Sequence, residues 1–243
     1  MQRLIPDPGP TTIGEQMAGF DPRSAAGQAR PYVYTNFAST IDGHATIGGV
    51  SGKIGSATDT AMLMALRESA DAVLIGAGTM RVERYGRLLP QEEARERRAA
   101  AGLEPDPVTA IVTAGLDLPW DAGLFTSGAG EVVIFTSSGG RPPEVATPVE
   151  VIRSERSVEL GTALATLRGR GARAVLSEGG PTLHGRLLAE GLVDELFLTF
   201  SPRLGSGGGP RIVEGLAGGP IDLELRWLLA EGSELFARYA TRS

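Results

Sequence analysis

The sequence predicts an α/β protein: a mainly parallel sheet flanked by helices, with an antiparallel hairpin at its C-terminal end. Three observations carry that expectation. From residue 31 onward, short β-branched or apolar runs alternate with segments of helical period, the pattern of parallel strands joined through helices. Glycine-rich clusters follow directly on several of those runs, beginning at Gly76, Glu178 and Gly205. In open α/β sheets, ligands sit beyond such strand ends. Lastly, Leu223–Leu229 and Leu235–Ala240 are two apolar-rich runs separated by a short polar turn, as in a hairpin.

Taken in order, residues 1–30 are rich in Pro, Gly and Ala and show no sustained period. They read as an arm that either wraps the domain or pairs with a second subunit; residues 31–243 read as a single domain. Tyr32–Ser39 is β-branched and aromatic, a first strand. Ser56 or Thr58 can cap a helix running to about Ser69, with Met62, Leu63, Leu66 and Ala70 on its apolar face. Asp71–Ile75 is a short buried strand that ends in the loop Gly76-Ala-Gly-Thr79. Gln91–Ala101, dense in Glu, Arg and Ala, reads as an exposed helix. Strands are expected at Thr109–Thr113, Glu131–Thr136 and Val149–Ile152, and a helix from Ser157 to Gly169. Ala174–Ser177 is a strand that Glu178-Gly-Gly-Pro181 turns into a helix ending near Gly191. Glu195–Pro202 is the last strand before the hairpin.

Composition narrows the function classes. The chain has 243 residues and a net charge of -6, which argues against a nucleic-acid groove or an anionic membrane partner. It has no cysteine, so disulfides, Cys-ligated zinc and thiolate nucleophiles are excluded. His44 and His184 stand far apart with no HExxH-like pair, and no metal site is expected. No run approaches the roughly 20 apolar residues that span a bilayer. The opening MQRLIPDPGP lacks the basic-then-apolar order of a signal peptide, so the cytoplasm is the expected compartment.

The chemistry gathers at the glycine clusters. In Glu178-Gly-Gly-Pro-Thr-Leu-His-Gly-Arg186, glycines allow close backbone approach and a helix N-terminus presents free N–H groups, a geometry that suits phosphate. Arg186 could add charge if its side chain reaches back. Glu178, a carboxylate at a strand end, is placed to accept hydrogen bonds from a ring N–H or amino group. Gly76–Gly86 lacks the third glycine of a dinucleotide fingerprint, but its backbone and Thr79 suit a phosphate or ribose contact. Gly205–Gly209 reads as a surface connection.

Four stretches, in order, resemble the pyrimidine-reductase family of riboflavin synthesis: Ala38–Gly43; Leu66-Arg67 followed by Asp71–Thr79; Val175–Pro181; and Gly191–Leu196. The resemblance implies the dihydrofolate-reductase-like fold and a reaction in which NADPH delivers hydride to C1′ of a phosphoribosylamino-pyrimidine, giving the ribitylamino product. It places Ser51, Arg67, Glu178 and, more loosely, Leu88 at substrate positions, with Arg67 serving the sugar phosphate and Glu178 the pyrimidine's amino edge. It places Lys53, Gly76, Gly78, Thr79, Glu83, Thr113 and the loop Gly179, Gly180, Pro181, Thr182, Leu183, His184, Gly185, Arg186 at cofactor positions. Lys53 or Arg81 could meet the 2′-phosphate. Asp42 and Glu83 are the candidate catalytic groups, although Asp42 in Ile-Asp-Gly could equally cap its own turn. The resemblance also implies a homodimer, with the apolar strand Leu196–Phe200 and the N-terminal arm as candidate contacts.

The chain departs from the family in two places. It has no cysteine for the zinc deaminase signature of the bifunctional members, so it cannot deaminate by that route. Glu83 and Arg84 replace the usual Asp pair, and Tyr85–Pro90 replaces Asp-Pro-x-Leu. Two alternatives stay open at this point: a dihydrofolate or pterin reductase on the same fold, and a nucleotide-binding module without chemistry.

Overall fold

The computed structural model describes residues 1–205 and 209–242. The middle of the third glycine cluster, Ser206 to Gly208, lies outside the described residues. The elements run β1 (Gln2–Ile5), β2 (Gly9–Pro10), α1 (Ile13–Ala18), β3 (Tyr32–Thr40), α2 (Ala57–Glu68), β4 (Ala72–Gly76) and α3 (Ala77–Glu83). Then come α4 (Glu92–Ala100), β5 (Val108–Thr113), α5 (Gly123–Thr126), β6 (Val132–Thr136), β7 (Val149–Arg153) and α6 (Leu160–Gly169). The chain closes with β8 (Ala174–Ser177), α7 (Pro181–Ala189), β9 (Glu195–Ser201), β10 (Leu223–Glu231) and β11 (Glu234–Thr241). They fall into two units, one of Met1–Asp21, Val33–Leu66 and Gly180–Ser243, the other of Pro22–Tyr32 and Arg67–Gly179.

The second unit carries the parallel strands in the order β8-β4-β5-β6-β7. Its inner strands are buried along nearly their whole length, Ala72–Ile75 and Val132–Thr136 completely so. That burial on both faces is why they read as continuous apolar runs without alternation. Asp71 fastens the start of this sheet: Oδ2 accepts the N–H groups of Arg173 and Ala174 at 2.8 and 2.9 Å, and Oδ1 pairs with Arg23.

The first unit holds the antiparallel strands in the order β2-β1-β10-β11-β9, with β3 added parallel to β9. The expected C-terminal hairpin is β10–β11, turning at Gly232 with φ +57°. Phe20, Tyr34, Phe197 and Trp227 pack edge-on, with neighbouring ring centroids 5.0 to 6.1 Å apart.

The 1–30 segment pairs within its own chain: β1 pairs with β10, and Phe20 is buried. Its order comes from those partners, so no local period announces it. Three expectations need correction. The Gly76–Thr79 loop is in fact the start of a helix, α3, because Ala77 and Met80, three residues apart, both bury and anchor the turn. The helix Gln91–Ala101 exists as α4 but is not wholly exposed, since Ala94 and Arg98 are buried. The strand Leu196–Phe200, a candidate subunit contact, lies between β11 and β3 with Leu196, Phe197 and Leu198 buried. No helix among the described residues is long and apolar enough to cross a membrane.

Candidate active site

In the second unit, the carboxyl ends of the parallel strands fall in one row. Register pairs Leu74 with Ser177, Gly76 with Val112, and Thr113 with Thr136, so Glu178, Gly76, Thr113 and Thr136 mark one edge of the sheet. Glu178 continues past β8, its N–H donating to the Leu74 carbonyl at 3.0 Å. Its carboxylate meets the guanidinium of Arg67 in a two-pronged pair: Nε to Oε1 and Nη2 to Oε2, both 2.6 Å. The side chains are only 9% and 5% exposed. Arg67 also donates from Nη1 to the Leu88 carbonyl at 2.9 Å. Thus three of the four expected substrate residues come together, with Leu88 acting through its backbone. The pairing is bidentate and charge-assisted, the geometry in which Arg surpasses Lys. Burial opposes the charge on Arg67, but the Glu178 carboxylate outweighs it and holds the guanidinium above its ordinary pKa.

Sequence reasoning missed one member of this cluster. The Tyr85 ring lies over Arg67, with the guanidinium carbon 5.6 Å from its centroid. Burial first, then the Glu178 charge, push the phenol pKa well above its ordinary value. The only signal in the sequence was that Tyr85 sits where the chain leaves the family pattern. Thr136 was also passed over; its Oγ1 accepts the Ser138 N–H at 3.0 Å beside Thr113.

The expected cofactor residues of this unit sit at or near the same edge. Gly76 caps α3 without a side-chain cap, Gly78 is exposed with open space where a Cβ would project, and Thr79 and Glu83 are half-buried on α3. Thr113 spends its hydroxyl locally, donating to the Gly115 carbonyl at 2.5 Å. Arg81 donates to the Asp117 carbonyl at 2.9 Å and stays half exposed.

In the first unit, Gly180 caps α7 without a side-chain hydrogen bond and Pro181 opens the helix. Its first-turn N–H groups therefore lack a side-chain partner, which fits an anionic group such as a pyrophosphate. Thr182 is exposed there, while Leu183, His184 and Gly185 are buried. Gly185 is required because a Cβ would collide with the Glu214 carbonyl. His184 is fully enclosed: Nδ1 bonds to the Ile212 carbonyl at 2.9 Å, and the ring stacks on Phe37 at 4.4 Å. Burial lowers its pKa to about 4, so the imidazole is neutral and its side chain faces the core. Arg186 points along the helix toward Glu190, at 3.9 Å.

Asp42 forms a turn with its neighbours. Oδ1 accepts the Gly205 N–H at 2.8 Å, Oδ2 lies 3.5 Å from His44 Nε2, and the carbonyl accepts from Arg211 at 2.7 Å. The Gly205 bond above all lowers its pKa. Ser51 and Lys53 are exposed on the following loop, where the Lys53 carbonyl accepts from Arg203. Among the described residues no group of three or more His, Asp or Glu side chains could hold a metal ion.

Comparison with known proteins places the chain in a family. The chain is 31% identical over 193 residues to the 2,5-diamino-6-ribosylamino-4(3H)-pyrimidinone 5′-phosphate reductase of Archaeoglobus fulgidus, covering 76% of this chain and 87% of that one. The same-named enzyme of Methanothermobacter thermautotrophicus is 28% identical over 223 residues, covering 88% and 99%. The chain is also 29% identical to the riboflavin biosynthesis protein RibD of Bacillus amyloliquefaciens, of which it spans 46%. A pyrimidine reductase-like protein of Corynebacterium diphtheriae has the same fold, with a TM-score of 0.81 at 24% identity over 96% of this chain and 100% of that one. Residues 31–232 match the family model described as the RibD C-terminal domain, and the chain belongs to that family.

Proposed function

We propose that the chain is an NADPH-dependent reductase of a phosphoribosylamino-pyrimidine, converting the ribosylamino group to ribitylamino. The observation that carries this reading is the buried Arg67–Glu178 pair at the carboxyl edge of β8, in a chain whose archaeal relatives are named as pyrimidinone phosphate reductases. Those names favour the pyrimidine over a pterin.

The nicotinamide supplies the hydride that reduces C1′. The chain's own residues bind and orient. Glu178 has acceptor capacity beyond the two bonds from Arg67, and turns it toward the amino edge of the base. Arg67 donates three of its five N–H groups to Glu178 and Leu88 and keeps the others for a phosphate. The uncapped N-terminus of α7 takes the cofactor pyrophosphate, with Thr182 beside it. Gly76, Gly78 and Thr79 let the backbone approach the cofactor, and Lys53 or Arg81 meets the 2′-phosphate that distinguishes NADPH from NADH.

Purified protein mixed with NADPH and the pyrimidine substrate is expected to oxidise the cofactor and yield the ribitylamino product. Oxidation that gives no such product overturns the reading. A homodimer and a cytoplasmic site rest on family membership, since β1 and β9 are already paired within the chain; light scattering across concentrations reads the oligomeric state.

A further inference from the structure

Helix α4 carries three arginines, and two of them turn back onto the chain around Arg67. Arg98 reaches the root of that residue. Its Nη1 donates to the carbonyls of Glu68 and Ala70 at 2.7 and 2.6 Å, and lies 3.4 Å from the carbonyl of Arg67 itself. Nε is spent on the Glu104 carbonyl at 2.9 Å, so the end of α2 that bears Arg67 is tied to the C-terminal end of α4. Arg95 reaches the other end of the same side chain. Its Nη1 donates to the carbonyls of Leu89 and Pro90, both at 2.8 Å. These follow directly on Leu88, whose carbonyl accepts from Nη1 of Arg67. On the near side of Leu88, Arg87 is paired with Asp106, in the loop after α4.

This bracket matters because an arginine side chain is long and has many rotamers. A guanidinium that must meet a ligand in one orientation loses affinity when that freedom has to be frozen on binding. Glu178 fixes one edge of the Arg67 guanidinium, through Nε and Nη2. Nη1 lies off that edge and is held by the Leu88 carbonyl, which sets the tilt of the plane. Burial of the Leu88 and Leu89 side chains fixes where the segment lies. The direction of its carbonyls is set by donors, and Arg95 supplies them to the two that follow Leu88.

We infer that Arg95 and Arg98 are positioning residues for Arg67: α4 holds both the backbone and the third hydrogen-bond partner of the arginine that meets the substrate phosphate. This rests on the function proposed above, and adds to it a helix whose arginines act at one remove. The two differ in how replaceable they are. Arg95 makes both bonds from a single nitrogen, which an ammonium can imitate. Arg98 divides its bonds between Nε and Nη1, which a lysine cannot.

The test is steady-state kinetics of wild type, Arg95→Met, Arg95→Lys and Arg98→Lys with NADPH and the phosphoribosylamino-pyrimidine. Arg95 is half-buried, so its variants are expected to fold. Arg95→Met should raise KM for the pyrimidine about fivefold, because the Arg67 guanidinium loses part of its support, while KM for NADPH stays that of wild type. Arg95→Lys should bring the pyrimidine KM back to within about twofold of wild type. Arg98→Lys should raise that KM and again spare the one for NADPH. A wild-type pyrimidine KM in Arg95→Met or in Arg98→Lys overturns the inference and leaves the reductase reading intact. So does a loss in Arg95→Met that falls equally on both KM values, or that lysine does not restore, since it marks a general loosening of the fold. If wild type reduces no pyrimidine, the reductase reading falls and the inference with it.

Discussion

Removing the carboxylate of Glu178 strands a buried guanidinium. Breaking one side of such a pair costs about 3 to 5 kcal/mol, whereas replacing both sides with apolar groups of similar size is often neutral. Glu178→Gln is therefore expected to lower both stability and turnover. The double variant Arg67→Met/Glu178→Met should recover most of the stability and none of the activity. Urea unfolding beside a turnover assay checks this; recovery of activity in the double variant would show that the pair only supports the fold. His184 makes a prediction of the opposite kind. Its folded pKa of about 4 lies below the ordinary 6.5, so the neutral form stabilises the fold above pH 6.5. That contribution fades as pH falls from 6.5 to 4, because the unfolded chain takes up the proton and the folded one does not. About 3 kcal/mol is at stake, and His184→Gln should flatten the unfolding profile across that window. Both residues stood out in the sequence as members of a strand-end loop. Their separate fates were not legible there, because burial of the His184 ring against Phe37 depends on β3, which is distant in sequence.

Helix α4 shows how an element can look like surface and act as a clamp. Arg98, 2% exposed, donates to the carbonyls of Glu68 and Ala70 at 2.7 and 2.6 Å and to Glu104 at 2.9 Å. Its neighbour Arg97 grips the Glu68 carboxylate from the same helix. These bonds satisfy orphan carbonyls at the C-terminal end of α2, where cations are favoured, and Arg67 is in that last turn. Arg98→Met is expected to cost about 3 kcal/mol, because buried carbonyls lose charged donors. Arg98→Lys should retain only part, lacking the planar fork. Urea midpoints of the two variants against wild type decide; a Lys variant equal to wild type would mean that charge alone matters. At the other end of α2, Asp59 is pushed up in pKa, first by burial and also by the Glu234 carboxylate, and its Oδ1 lacks a partner. A raised folded pKa means stability that is present at low pH and lost as pH rises. Asp59→Asn should therefore raise the urea midpoint at neutral pH, the relief of a buried charge outweighing the few tenths of a kcal/mol from the helix dipole. The sequence showed α2 through its apolar period and α4 through its charge density. Charge density alone could not reveal that one of those arginines, Arg98, faces inward, and α3 was hidden because its seven residues are fixed by just two buried side chains.

Over the whole chain, alternation was legible because the parallel strands are apolar from end to end, while β1 takes its order from pairing with β10, and β2 from pairing with β1, and neither leaves a local period. Charge tells a further story at this scale. A chain with a net charge of -6 repels a polyanionic cofactor at long range, so the proposed binding rests on local features: the uncapped start of α7 and a few cations. A phosphate at a helix N-terminus is held by backbone N–H groups that no side-chain substitution removes, whereas the proposed 2′-phosphate contact rests on Lys53 or Arg81. The two contributions therefore separate by mutation. NADPH at about a hundred times its Kd is expected to stabilise the fold by about 2.7 kcal/mol, a rise of roughly 5 to 10 °C in thermal midpoint for a chain of this size. NADH should give a smaller rise at the same concentration. Lys53→Gln combined with Arg81→Gln should pull the NADPH response down toward that of NADH and leave the NADH response unchanged. A double variant that weakens both cofactors equally would instead place the two cations near the shared pyrophosphate, and NADPH preference would need another source in the chain.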